Sequence, residues 1–207
     1  MFNDNIEKLI VNTKGFLDPA EGRCLYEIAT IASNMGPCLE IGSYCGKSTI
    51  CIGTACRETN STLFTIDHHT GSEEQQPGEE YFDPELFDFK TFQVDTFTTF
   101  RETLRQGDLL DTVVPLVCRS HVAARQWETR LAMVFIDGGH AAETVRLDYD
   151  AWAHHLMPGG YLVFHDIFPD PEEGGQAPYD MYRAALSSGR FNEEPMVKTL
   201  GILHRKP

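Results

Sequence analysis

The sequence predicts an α/β fold in one domain: a doubly wound, mostly parallel sheet with helices on both faces. Three observations lead there. Short apolar runs alternate with stretches of helical periodicity, the pattern a parallel sheet needs for its crossover helices. Polar residues gather where those runs end: Glu40, Asp67, Arg119, Asp137, His165 and Asp166. Such sheets bind ligands outside the carboxyl ends of their strands, so these residues mark the expected site. A length of 207 residues suits one domain with a substantial core.

Residues 1–36 read as helical. Asp18-Pro19-Ala20-Glu21 is a helix start, with a capping Asp, Pro at the first helical position and an acid three residues after the cap. Leu25, Ile28, Ala32 and Met35 then recur at helical spacing until Gly36-Pro37. Cys38 to Gly42 is a short buried strand, followed by a helix from Gly46 to Arg57. Thr62 to Ile66 is the second strand, ending at Asp67. Residues 68–95 form a long polar loop, and loops of that length inside a compact domain usually serve as lids or are disordered. A helix from Thr96 to Gln106 leads to a third strand, Thr112 to Cys118, and a short helix from Ser120 to Trp127. Leu131 to Ile136 is the most clearly buried strand, ending at Asp137. The next helix carries Val145, Tyr149, Trp152 and Leu156 on one face. Pro158-Gly159-Gly160 is expected to turn the chain into a strand from Tyr161 to Phe164. A second loop, 167–178, precedes a last helix, and Met196 to His204 reads as a strand or hairpin.

Composition narrows the function classes. A net charge of −14, with Arg and Lys scattered, argues against nucleic acid and against an acidic membrane surface. No apolar run approaches the roughly 18 residues of a membrane span, and the N-terminus lacks the features of a secretion signal. A cytoplasmic location is therefore expected. The six cysteines include no C-x-x-C pair and are expected to be reduced and mostly buried.

The loop after the first strand reads Glu40-Ile41-Gly42-Ser43-Tyr44-Cys45-Gly46-Lys47-Ser48. A P-loop needs four residues between its first Gly and the Gly-Lys pair, and only three stand here. Glu40 would also repel phosphates. A dinucleotide fingerprint needs Gly where Tyr44 stands. Acid-x-Gly-x-x-x-Gly instead resembles motif I of class I S-adenosylmethionine-dependent methyltransferases, whose cofactor has an amino-acid end, a ribose and no phosphate.

The resemblance sharpens at Phe135-Ile136-Asp137-Gly138-Gly139-His140, Asp148, Trp152, Pro158-Gly159-Gly160 and His165-Asp166. These are similar to the macrocin and mycinamicin O-methyltransferase-like subgroup, and the likeness runs from Cys38 to His204. It implies a Rossmann-like, seven-stranded sheet. It places Glu40, Gly42, Ser43, Lys47, Ser48, Asp67, His68, Arg119, Ser120 and Asp137 around S-adenosylmethionine. In this reading Glu40 positions the aminoacyl ammonium, Asp67 accepts the ribose hydroxyls, and Arg119 and Ser120 frame the adenine. In that subgroup an acid ending the fourth strand and a pair ending the fifth hold Mg²⁺. Asp137 and Asp166 match two of those positions, but the third is His165. Imidazole is a poor Mg²⁺ ligand and suits Zn, Fe, Ni or Cu. A different metal, another duty for His165, and no metal at all stay open. His140 stands where some members carry a general base, and an imidazole titrates in the right range for that work.

Each residue also has a structural reading. Asp137 can bond the glycine turn, His140 can cap the next helix, and His68-His69 can be a surface pair. Asp148 reads as a buried hydrogen-bond anchor, and Trp152 as core. The acidic loops are either solvated charge or lids for a cationic or polyhydroxylated small molecule, closed by Tyr81, Phe82, Phe87 and Phe89. The expected function is methyl transfer to a small molecule, with O-methylation favoured. A non-methylating reaction in the same pocket and a non-catalytic cofactor-binding protein are the alternatives. The N-terminal helices offer a surface for a homodimer.

Overall fold

The computed structural model describes residues 2–207. Helix α1 spans Asp4–Asn12 and helix α2 spans Pro19–Ala32. The start of α2 is the capping box expected from the sequence: Asp18 accepts from the Ala20 amide, and Glu21 accepts from the Asp18 amide at 3.0 Å. Strand β1 (Cys38–Ile41), helix α3 (Lys47–Glu58) and strand β2 (Leu63–Asp67) follow. After the long loop come helix α4 (Phe97–Gln106), strand β5 (Val113–Val117) and a single turn, α5 (Ser120–Ala123). Within that loop, β3 (Phe87–Asp88) and β4 (Gln93–Val94) pair antiparallel. Then come β6 (Leu131–Ile136), α6 (Ala142–Trp152), β7 (Leu156–Phe164), α7 (Ala177–Ser187) and the hairpin β8 (Phe191–Val197) and β9 (Leu200–Arg205).

Seven strands form one sheet in the order β5-β2-β1-β6-β7-β9-β8. The first five run parallel, and the hairpin closes the edge antiparallel. The chain leaves β1 in one direction for β2 and returns on the other side for β6. The crevice between β1 and β6 is therefore the topological switch point where such sheets bind ligands. Register fixes what meets there. Ile41 is level with Ile136, and Ile136 with Phe164, so Gly42, Asp137 and His165 leave three neighbouring strands together.

The central strands β1 and β6 are buried throughout, as a sheet covered on both faces requires. Side chains alternate across the sheet. Met133 and Phe135 pack with Leu25, Ile52 and Phe100 on one face, while Val134 and Ile136 pack with Trp152, Phe164 and Tyr182 on the other. Among the described residues, no helix is long and apolar enough to cross a membrane. All six cysteines are free; four are buried and two half-buried.

Several local expectations need correction. Leu156 does not continue the α6 stripe: it opens β7 and pairs with Leu131. Pro158-Gly159-Gly160 lies inside β7 rather than before it. The register with β6 shifts between Leu131 and Met133, and Gly159 takes a φ of +79°. Between the Leu131–Leu156 and Met133–Tyr161 pairs β7 carries three more residues than β6, an irregularity that sequence alone reads as a turn. The short helix after β5 breaks into a 3₁₀ turn, Ala124–Gln126. Residues 68–95 pack against the glycine loop and the N-terminal segment. Leu86 and Val94 are buried against Cys45 of the glycine loop, and Lys14 pairs with both Asp83 and Glu85. Phe82 and Phe89 each meet Phe87 edge-on, while Tyr81 meets Phe16.

Candidate active site

The glycine loop is shaped by close backbone approach. Gly42 has a φ of +86°, and a Cβ there would stand 2.0 Å from the carbonyl oxygen of Asp137. Its missing side chain therefore lets the loops after β1 and β6 touch. Glu40 is fully buried below the loop, with the Ser48 and Thr49 hydroxyls each 2.5 Å from one of its oxygens. Burial, outweighing those hydrogen bonds, pushes its carboxyl up to about 8. The folded state thus keeps a proton that the unfolded chain releases from about pH 4.5 upward. The sign follows: stability is highest below that pH and falls as pH rises toward 8. Glu40→Gln is expected to flatten the fall in urea midpoint between pH 5 and 8 and to be the more stable form at the upper end. An unchanged slope would refute this assignment.

Asp67 ends β2 and braces the same loop. Its Oδ2 accepts from the Ser43 and Tyr44 amides at 3.1 and 2.8 Å, and its Oδ1 accepts from the His69 amide at 2.7 Å. Ser43 Oγ is buried without a hydrogen-bond partner. His69 is buried rather than half of a surface pair; its Nδ1 meets Thr96 Oγ1 at 2.7 Å. His68 is half-buried, with Nδ1 2.7 Å from Thr70 Oγ1. Lys47 is turned away to the Gly15 carbonyl at 3.1 Å. Arg119 is exposed at the start of α5, and Ser120 Oγ accepts from the Trp152 indole at 2.7 Å. Asp148 is buried beside Ser120, the anchor expected of it, and burial pushes its carboxyl up to about 6.

The second half of the site is a chain of acids and imidazoles. His165 is 6 % exposed. Its Nε2 lies 3.1 Å from Glu21 Oε2 on α2, and its Nδ1 lies 3.1 Å from Asp137 Oδ1 and 3.3 Å from Asp166 Oδ2. Burial alone would strip the ring's proton, but Asp137, Asp166 and Glu21 outweigh it and hold His165 cationic. Burial likewise opposes the charge on Glu21, yet hydrogen bonds from His165 and Thr199 bring it down to about 2. His140 does not cap α6. Its Nε2 sits 2.8 Å from Asp166 Oδ2 and its Nδ1 sits 3.0 Å from Glu74 Oε2 of the 68–95 loop. The Asp166 hydrogen bond first, opposed by burial and aided by Glu74, raises it to about 9. Asp166 is held below the usual carboxylate range, because hydrogen bonds from both imidazoles overcome its burial.

One ligand atom each from Asp137, His165 and Asp166 lies within 4.8 Å of the others. The cleft they line, with His140 and Pro178, encloses about 10 Å³, room for a single water or ion. Of the seven non-glycine residues with left-handed backbone among the described residues, three belong to this face: Tyr44, His69 and Asp166. Strain stored at one face is expected of a working site. The structure places Asp137, His165, Asp166 and His140, all singled out in the sequence, in one cluster. Sequence reasoning missed Glu21, Glu74 and Thr49 as members, because Glu21 reads as a helix cap and Glu74 as one acid among several.

The methyltransferase domain family matches residues 39–167. Among solved structures, the fold is similar to the O-methyltransferase TomG from Streptomyces achromogenes, involved in tomaymycin synthesis and solved with SAM. That match has a TM-score of 0.66 and 15% identity over 100% of this chain and 92% of that one. It is similar to an O-methyltransferase from Bacillus cereus solved with SAH, at TM-score 0.65 and 14% identity over 99% and 92% of the two chains. The SAH-bound methyltransferase PaMTH1 of Podospora anserina matches at TM-score 0.65 and 16% identity over 100% and 89%. Matched by that family over more than half its length, the chain belongs to the methyltransferase domain family, and the protein is a methyltransferase.

Proposed function

We propose that the protein transfers the methyl group of S-adenosylmethionine to a hydroxyl of a small molecule. In this reading a divalent metal sits at Asp137, His165 and Asp166, and His140 removes the proton. The observation that carries it is the convergence, at the switch point of a methyltransferase-family sheet, of the glycine loop, Asp67 and this acid–imidazole cluster. Within the family, the macrocin and mycinamicin O-methyltransferase-like subgroup remains the resemblance that fits the Asp137 and Asp166 positions.

Methyl transfer is an in-line displacement: the acceptor oxygen bonds the methyl carbon as the sulfur–carbon bond breaks, and the acceptor's proton must leave. The chain's work is therefore alignment, water exclusion and proton removal. The Asp67 carboxylate, which also braces the loop through the Ser43 and Tyr44 amides, accepts the donor's ribose hydroxyls in this reading. In this reading Arg119 and Ser120 frame the adenine, Glu40 and Ser48 support the loop from below, and His68 lies at its rim. The lid, held down by Glu74 on His140 and by Lys14 on Asp83, excludes water. A metal bound at the cluster would orient the acceptor hydroxyl and lower its pKa. The donor set itself, two carboxylates and an imidazole, does not fit Mg²⁺.

The test is calorimetric titration with S-adenosylhomocysteine. Micromolar binding is expected, weakened at least about 10-fold in Asp67→Ala, since losing a ribose acceptor costs about 1.4 kcal/mol or more. No binding to the wild type would overturn the reading.

A further inference from the structure

We propose that Glu21 fixes His165 as a ligand through Nδ1, and so makes the Asp137–His165–Asp166 cluster a site for an imidazole-accepting transition dication rather than for Mg²⁺. This rests on the reading that the cluster holds a metal. Glu21 itself lies outside the family-matched segment, on a helix that precedes it.

Glu21 is a capping-box residue, and such residues usually face solvent. Here it is 2 % exposed and its two oxygens meet four donors. Oε1 accepts from the Thr199 amide and hydroxyl at 2.9 and 2.8 Å; Oε2 accepts from the Asp18 amide at 3.0 Å and faces His165 Nε2 at 3.1 Å. Its position is thereby fixed by α2 and by the turn between β8 and β9. A carboxylate so placed can only accept, so His165 must keep its proton on Nε2. An imidazole gives up one proton to bind a metal. Glu21 decides that this is the proton on Nδ1, the nitrogen that faces Asp137 and Asp166. A carboxylate behind a histidine ligand is the usual means of fixing its tautomer and raising its basicity.

The geometry suits one ion. Two ligands at right angles, each about 2.1 Å from an ion, stand about 3 Å apart. His165 Nδ1 stands 3.1 Å from one carboxylate oxygen and 3.3 Å from the other. The adjoining space of about 10 Å³ is too small for an organic ligand. Imidazole with two carboxylates suits Zn²⁺, Fe²⁺ or Ni²⁺, whereas Mg²⁺ is held by oxygen.

The experiment uses the full-length, metal-stripped protein with ¹⁵N-labelled histidine, titrated separately with Zn²⁺ and Mg²⁺. Zn²⁺ is expected to move one histidine's Nδ1 resonance into the metal-bound range while its Nε2 stays protonated, and Mg²⁺ is expected to leave it in place. His165→Asp should remove that resonance and narrow the calorimetric preference for Zn²⁺ over Mg²⁺ by at least about 10-fold. Glu21→Gln puts an NH₂ where one pair of donors points. It should weaken Zn²⁺ binding by about 10–100-fold and release the Nε2–H tautomer. A purely structural tie would move neither. A His165 signal indifferent to Zn²⁺, an equal response to Mg²⁺, or an unchanged tautomer and affinity in Glu21→Gln would overturn the proposal. If Glu21→Gln fails to fold, the wild-type spectra and His165→Asp still decide. Donor binding is read apart from this, with S-adenosylhomocysteine on metal-free protein, so failure of the methyl-transfer reading has a different signature.

Discussion

Gly42→Ala is expected to be the most damaging single-methyl change in the protein, lowering stability by about 4 kcal/mol or more. Two costs combine. The residue holds a φ of +86°, a region that costs an L-residue about 1–2 kcal/mol. The larger cost is steric, because the new Cβ would stand 2.0 Å from the Asp137 carbonyl oxygen and 2.6 Å from its carbonyl carbon. Backbone cannot yield cheaply there. The Asp137 amide is bonded to the Ile41 carbonyl at 2.8 Å, so the loops after β1 and β6 must separate together. Gly46→Ala is the control. Its φ of +95° carries the same conformational cost, but its Cβ would meet only side-chain carbons, of Thr103 at 3.1 and 3.4 Å and of Phe100 at 3.3 Å. It should lose only about 1–2 kcal/mol. Urea midpoints measured side by side check the difference. Equal midpoints for the two variants would show that the close approach is not rigid.

The same contrast explains what the sequence could reveal. The strand ends were legible because a buried parallel strand is a continuous apolar run, and the polar residue that stops it stands out. Leu131 to Ile136 followed by Asp137 is the clearest case. Capping was legible because it is local, as Asp18 and Glu21 show. The irregular stretch of β7 was not, because Pro158-Gly159-Gly160 has the composition of a turn and only the pairing with β6 on either side, at Leu156 and Tyr161, places it within a strand. Nor were the partners of the cluster. Glu21 meets His165 across 144 positions and Thr199 across 178, distances over which spacing carries no information. His69 misled for a related reason. Two adjacent histidines look alike, and only its contacts with Thr96 and with Phe97 and Phe100 of α4 show that one is core.

His140→Gln is expected to lower kcat by about 10²–10⁴-fold while leaving S-adenosylhomocysteine affinity close to wild type. The histidine lines the cleft and bridges Asp166 and Glu74, and in the proposed reading the acceptor hydroxyl enters beside it. In this closed arrangement it is a cation at neutral pH, for the Asp166 hydrogen bond and Glu74 together raise it to about 9. A cation cannot take a proton. General-base work therefore requires the acceptor, on entering, to part His140 from at least one of its acids, and the lid residue Glu74 is the one free to leave. Two consequences separate this role from a structural one. First, the loss in His140→Gln should shrink for acceptors whose hydroxyl is acidic enough to ionise unaided, since proton removal then ceases to limit transfer. A panel of phenols of graded acidity, assayed by labelled-methyl transfer, measures it. Second, Glu74→Gln should shift the rising limb of the kcat/KM profile to lower pH, because one of the charges holding the proton on His140 is gone. A deficit in His140→Gln that is the same for every acceptor would assign the residue to lid closure, with the proton leaving by another route.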